Sequence, residues 1–88
     1  MIQAPYKEND TLGVIAGGGT MPLMVVEAAK QAGRRVVVLG LREWANPVLR
    51  DMADVFYWCS VSRFGRHMRL LLREGAYRTI LAGSVKKS

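Results

Sequence analysis

Apolar residues along this chain come in short unbroken runs, each closed by glycine, proline or charge. Leu12-Gly13-Val14-Ile15-Ala16 runs into Gly17-Gly18-Gly19, Arg35–Leu39 is rich in valine, Val55-Phe56-Tyr57-Trp58 is aromatic, and Thr79-Ile80-Leu81-Ala82 ends at Gly83. Continuous rather than alternating apolarity is the signature of a strand covered on both faces, as in a parallel sheet. The segments between them read as helices. Pro22 stands at the opening and Gly33 just past the close of Leu23–Ala32, the expected asymmetry of helix ends, with Thr20 or Met21 as the cap. This helix is apolar nearly all round, with Leu23, Met24 and Val25 predicted to pack the sheet, so it should be largely covered. From Arg63 to Glu74, Phe64, Met68, Leu71 and Leu72 fall at i, i+4, i+7 and i+8, with Arg63, Arg66, Arg69 and Arg73 mostly opposite and Gly75 as the stop. Gly40–Met52 reads as a loop with a short helix opened by Pro47.

Strand and helix alternate throughout residues 12–88, after an irregular leader over 1–11. The pattern predicts an α/β fold: a Rossmann-like, doubly wound parallel sheet with right-handed crossovers and helices on both faces. Four strands make half of such a sheet, and the last strand has no successor before Ser88, so a fragment of a two-domain protein is expected. Such sheets bind ligands outside the carboxyl ends of their strands. Here that places the loops Gly17–Thr20 and Gly83–Lys86 at the candidate site.

Composition narrows the classes. The chain has 88 residues, half of them hydrophobic, and a mean hydropathy of +0.07, which is globular rather than disordered. No apolar run reaches the ~18–20 residues that span a bilayer, and the first ten residues lack the basic and apolar regions of a secretory signal. A single cysteine, Cys59, excludes an internal disulfide and suggests a reducing compartment, and one Cys with one His makes a self-contained zinc site implausible. The net charge of +6 attracts anions without choosing among phosphate, nucleic acid and anionic lipid.

Three glycines between a strand and a helix allow a tight turn and close backbone approach to a ligand. The helix start adds unpaired N–H groups and a partial positive charge, so a phosphate-type oxyanion is the favoured guest. A tight turn with no ligand is the plain alternative. Two specific fingerprints fail. Position 22 is Pro where G-x-G-x-x-G needs its third glycine, and Leu39-Gly40-Leu41 carries no acidic residue for a ribose, so an ordinary nicotinamide dinucleotide is excluded. No Gly-Lys-Ser/Thr opens the helix, which excludes a P-loop.

Leu12-Gly13-Val14-Ile15-Ala16-Gly17-Gly18-Gly19-Thr20-Met21-Pro22 resembles the opening of the UDP-2,3-diacylglucosamine diphosphatase family of the lipid A pathway. Three more pieces follow in order: Ala45-Asn46-Pro47 resembles the family's Ala-Asp-Pro, Arg63-Phe64-Gly65-Arg66 its Leu-Gly-Lys segment, and Ala82-Gly83-Ser84-Val85-Lys86 its Ala-Gly-x-Val-x-Arg/Lys-Pro segment. Asn46, Ser84 and Lys87-Ser88 depart from the usual Asp, Asn and Arg-Pro. The resemblance implies a Rossmann-like N-terminal domain that cradles substrate, in an enzyme that hydrolyses UDP-diacylglucosamine to diacylglucosamine 1-phosphate and UMP. It also implies that the catalytic aspartate and a divalent metal, magnesium, belong to a C-terminal domain, so that this chain alone carries no catalytic residue, no metal ligand and no cofactor and is inactive. Gly17, Gly18, Gly19, Thr20, Ser84 and Val85 map to substrate-binding loops.

The expected partners are a UDP-sugar-lipid substrate and the C-terminal domain, with a homodimer and a peripheral contact with the inner membrane as further candidates and a cytoplasmic location. A non-catalytic phosphate- or nucleotide-binding module is the competing reading. A basic nucleic-acid-binding domain is the weaker third, because no recognition element stands out. His67 reads as a structural histidine, Cys59 as a buried inert thiol, Trp44, Tyr57 and Trp58 as packing before base-stacking groups, and the arginine ridge as a solvated face.

Overall fold

In the computed structural model the described residues are 11–85, the Phe64 side chain excepted. The predicted leader over 1–10 and the Lys86–Ser88 end lie outside them. Thr11, assigned to the leader from sequence, is the first residue of β1. The elements are β1 (Thr11–Ala16), α1 (Met21–Gln31), β2 (Arg35–Leu41), α2 (Leu49–Met52), β3 (Val55–Cys59), a 3-10 turn (Val61–Arg63), α3 (Phe64–Arg73) and β4 (Arg78–Ala82).

All four strands are parallel, in the order β3-β2-β1-β4. β1 and β2, at the centre, are buried along nearly their whole length. The two-residue period of the pleat divides their side chains between two layers. Leu12, Val14, Ala16, Val36 and Val38 meet Val26 and Ala29 of α1 and Leu49 of α2. Ile15, Val37, Leu39, Leu41 and Cys59 meet Leu71 of α3 and Ala76. Helices therefore cover both faces, α1 and α2 on one and α3 on the other. Each fully buried Val or Leu in these layers contributes roughly 1.5–3 kcal/mol of apolar transfer.

β2 runs two residues further than the apolar pattern predicts. Gly40 continues the strand because the Phe56 ring takes its side-chain space: a Cβ there would lie 2.5 Å from Phe56 Cζ. α1 is less covered than predicted. Leu23 and Val25 pack against the core, but Met24 is 59% exposed and Met21 is also exposed. The reason is helical geometry: Pro22, Val26 and Ala29 form the buried stripe, Leu23 and Val25 flank it, and Met24 stands on the opposite side of the helix.

Charged side chains tie the amino end of the sheet. Lys30, at the end of α1, donates to both carboxylate oxygens of Asp54 at 2.7 and 2.8 Å. Asp54 Oδ2 also accepts the Val36 N–H at 2.7 Å, and the Asp54 N–H donates to the Val36 carbonyl at 2.9 Å. Arg35 pairs with Glu74 at 2.7 Å and donates to its carbonyl at 2.9 Å, while the Tyr57 hydroxyl donates to the other Glu74 oxygen at 2.9 Å.

Candidate functional site at the carboxyl ends of the strands

The glycine turn leaves β1 beside the end of β4. The Gly17 N–H donates to the Ala82 carbonyl at 2.8 Å, extending the β1–β4 ladder by one bond. Gly18 and Ser84 then exchange two bonds as an antiparallel bridge: Gly18 N–H to Ser84 O at 2.8 Å, and Ser84 N–H to Gly18 O at 3.1 Å. The two loops singled out from sequence are thus joined. Gly17 is required by this closeness, since a Cβ there would lie 2.5 Å from the Ser84 carbonyl oxygen.

The junction changes which donors face outward. The amides of Gly17 and Gly18, expected to be free, are spent on β4 and its loop. The amides of Gly19 and Thr20 make no backbone hydrogen bond among the described residues. Gly19 has φ 84° with open space around its missing side chain, so the turn itself, not crowding, calls for glycine there. Thr20 stands at the cap of α1 in helical backbone conformation and its hydroxyl makes no capping bond. Its carbonyl accepts the first helical N–H, from Met24, at 3.1 Å. No acidic residue occupies the first turn of α1, so nothing there offsets the partial positive charge of the helix start. Ser84 and Val85 are exposed beside the bridge.

A third loop borders the turn. The Trp44 and Ala45 N–H groups both donate to the Leu41 carbonyl, at 2.9 and 2.8 Å, folding the chain back sharply after β2. A Cβ on Gly18 would lie 3.4 Å from both the Trp44 Cβ and its carbonyl oxygen. The Trp44 ring is half-buried against the α3-side core. Of the three aromatics weighed from sequence, Trp44 flanks the glycine turn. Trp58 instead packs edge-on against Phe56, with ring centroids 4.9 Å apart, and Tyr57 belongs to the Glu74 network. The nearness of Trp44 to Gly18 had no signal in the sequence, because it arises from the pairing of β1 with β2.

The other chemistry-bearing residues sit elsewhere. His67 Nδ1 lies 2.9 Å from the Arg63 carbonyl, one helical turn back. Cys59 is buried, burial pushes its thiol up from the ordinary value, and it donates to the Ser60 carbonyl at 3.3 Å. Arg63, Arg66, Arg69 and Arg73 are exposed. Among the described residues no group of three His, Cys, Asp or Glu could hold a metal ion.

A parallel sheet ordered β3-β2-β1-β4, with helices on both faces and a glycine turn opening a helix at its carboxyl end, defines a Rossmann-like half-domain. More narrowly, the chain belongs to the LpxI N-terminal domain family, whose profile matches residues 11–88. It is similar to the UDP-2,3-diacylglucosamine pyrophosphatase LpxI of Caulobacter vibrioides, with 36% identity over 78 residues, 86% of this chain and 26% of the relative. The chain therefore spans about a quarter of the length of that curated relative.

Proposed function

We propose that this chain is the substrate-cradling part of a UDP-2,3-diacylglucosamine pyrophosphatase-like hydrolase of the lipid A pathway. In the whole enzyme water would cleave the diphosphate of UDP-diacylglucosamine, giving diacylglucosamine 1-phosphate and UMP. The role of this chain is to bind and orient the diphosphate at the start of α1. The amides of Gly19 and Thr20 and the Thr20 hydroxyl donate to phosphoryl oxygens, and Ser84 and Val85 form the opposite lip. Gly17 and Gly18 act indirectly, by letting the two loops close on each other.

The observation that carries this reading is the exposed pair Gly19 and Thr20, whose amides make no backbone hydrogen bond among the described residues, in a chain 36% identical over 78 residues to a protein that bears that activity in its name. The described residues do not fit a divalent metal, so no metal-dependent step is assigned to them. Magnesium, the general base and the lipid-binding surface are assigned to the C-terminal domain of the full-length enzyme. No helix among the described residues is long and apolar enough to cross a membrane. A cytoplasmic protein that meets its lipid substrate at the inner-membrane surface is part of the proposal.

Titration of the 15N-labelled chain with UMP, a UDP-sugar and inorganic phosphate tests the reading. The Gly19 and Thr20 amide resonances should move most, and UMP and the UDP-sugar should compete for one site. Shifts confined to the α3 arginines, or none at millimolar ligand, would overturn it.

A further inference from the structure

The outer side of α3 is chemically unlike the side that meets the sheet. Leu71 is buried against the sheet, with Met68 packed beside it. At about 100° per residue, Arg66, Arg69 and Arg73 fall within about 60° of one another on the opposite side, in a column roughly 10 Å long. All three are exposed. No Asp or Glu occurs from Val55 to Arg73, and Glu74, the next residue, is held by Arg35 and Tyr57. Among the described residues Lys30 and Arg35 are in ion pairs, whereas none of the three column arginines is.

Like charges at i, i+3 and i, i+4 of a helix repel each other. Arg66 and Arg69, and Arg69 and Arg73, stand at those spacings. The fold offers nothing to offset that repulsion, so the complement is an external anion. Its shape follows from the helix. Side chains fanning from a convex surface form no pocket, and a free phosphate meets one of them at a time, whereas an extended anionic surface meets all three. Leu72, 57% exposed, lies about 60° round the helix from Arg69. Tyr77, just past α3, is 79% exposed. Arginines bordered by apolar and amphipathic groups are the composition of a helix lying at a lipid interface. A nucleic-acid backbone has no use for Leu72, and a symmetric contact with a second copy would set arginine against arginine.

We infer that the outer face of α3 docks on an anionic phospholipid surface, with Arg66, Arg69 and Arg73 on lipid phosphates and Leu72 at the headgroup boundary. The inference rests on the proposed reading, whose substrate is a lipid, and adds the face by which the chain meets it. Because α3 begins where β3 ends, Arg66 lies toward the carboxyl ends of the strands, the end that carries Gly19 and Thr20.

Vesicle flotation tests it. The 88-residue chain should float with vesicles containing phosphatidylglycerol and not with pure phosphatidylcholine, and added salt should release it. Each arginine near such a surface contributes about fivefold, so Arg66→Gln/Arg69→Gln/Arg73→Gln should bind roughly a hundredfold more weakly. Its urea midpoint should be no lower than the parent's, since it removes repulsion. Arg42→Gln/Arg50→Gln/Arg78→Gln loses the same charge at exposed positions outside α3 and should lose no more than about tenfold. Without any variant, spin-labelled headgroups should broaden the Arg66, Arg69 and Leu72 amide resonances of the parent first. Broadening elsewhere, equal losses in the two triple variants, or binding indifferent to lipid charge overturns the inference. Tighter binding to duplex DNA than to the anionic vesicles at equal salt overturns it in favour of nucleic acid. The two readings fail separately. Loss of vesicle binding with the Gly19 and Thr20 response to UMP intact removes only the docking face, and loss of that response with vesicle binding intact removes only the diphosphate cradle.

Discussion

The two ends of the sheet are held by different chemistry. At the amino end, Lys30 and Asp54, and Arg35, Glu74 and Tyr57, lock α1, β2, β3 and the close of α3 together through charged side chains. At the carboxyl end, β1 and β4 are joined beyond the ladder by three backbone hydrogen bonds, among Gly17, Gly18, Ala82 and Ser84. The Thr20 hydroxyl at that end makes no capping bond among the described residues. The comparison teaches a division of labour. The amino end commits its polar side chains to stability, whereas among the described residues the carboxyl end is fastened by backbone hydrogen bonds and leaves Gly19 and Thr20 exposed at the helix start.

The largest effect expected of any change aimed at this contrast comes from breaking the backbone fastening. Gly17→Val would drive its Cβ into the Ser84 carbonyl, a rigid neighbour 2.5 Å away. Overpacking of this kind costs about 2–3 kcal/mol. Urea unfolding should register that loss, and the Ser84 amide should lose exchange protection. A fully stable Gly17→Val would mean that the two loops are not truly joined.

Next is the amino end. Asp54→Ala removes an acceptor shared by the Lys30 ammonium and the Val36 N–H. With discount for partial exposure, it should cost about 1–2 kcal/mol. Anion binding at the other end should be untouched, which phosphate titration of the variant checks.

Acid should sharpen the same distinction more gently. Burial is the largest single influence on Asp54 and pushes its carboxyl up. The Lys30 hydrogen bond, the Val36 N–H and the Lys30 and Arg35 charges together outweigh it and hold the group below its ordinary 3.8. The Arg35 hydrogen bond, then that of Tyr57, holds Glu74 below its ordinary 4.5. Carboxylates depressed in the folded state contribute stability that is fully present above their unfolded values and lost as pH falls through the folded ones. Stability should therefore hold from neutral pH to about 4.5 and fall below it. Asp54→Ala should show a shallower acid slope in urea midpoints measured from pH 6 to 3.

Much of this was legible in the sequence because the signals were local. Unbroken apolar runs mark β1 to β4, Pro22 and Gly33 bracket α1, and the i, i+4, i+7, i+8 spacing marks α3. The candidate site follows from its place at the strand ends, but the sequence does not show which of its amides are already bonded. Whether the Gly17 and Gly18 amides are free depends on the Ala82 and Ser84 carbonyls, some 65 residues on, and no local pattern encodes a junction of that reach. Asp54 reads in sequence as an ordinary surface carboxylate and acquires its role only when β3 falls into register beside Val36. The exposure of Met24 follows from which side of α1 meets the sheet, the one carrying Pro22, Val26 and Ala29, and an all-round apolar helix does not announce that choice.

The smallest expected change in stability belongs to Thr20→Val, and it separates the two ends most cleanly. Valine keeps the shape of threonine and its backbone amide and removes the hydroxyl. Because that hydroxyl caps nothing, unfolding free energy should stay within about 0.5 kcal/mol of the parent, where loss of a capping threonine would cost about 1 kcal/mol. If the hydroxyl donates to a phosphoryl oxygen, affinity for UMP should fall roughly threefold to tenfold, equivalent to about one hydrogen bond. Asp54→Ala should give the reverse pattern, lower stability at unchanged affinity. Calorimetric titration of both variants beside urea unfolding sets the two ends against each other. Equal UMP affinity in Thr20→Val and the parent would leave the amides of Gly19 and Thr20 as the donors and remove the hydroxyl from the site. A drop in stability would instead show that the hydroxyl belongs to the fold, and the division between the two ends would fail at Thr20.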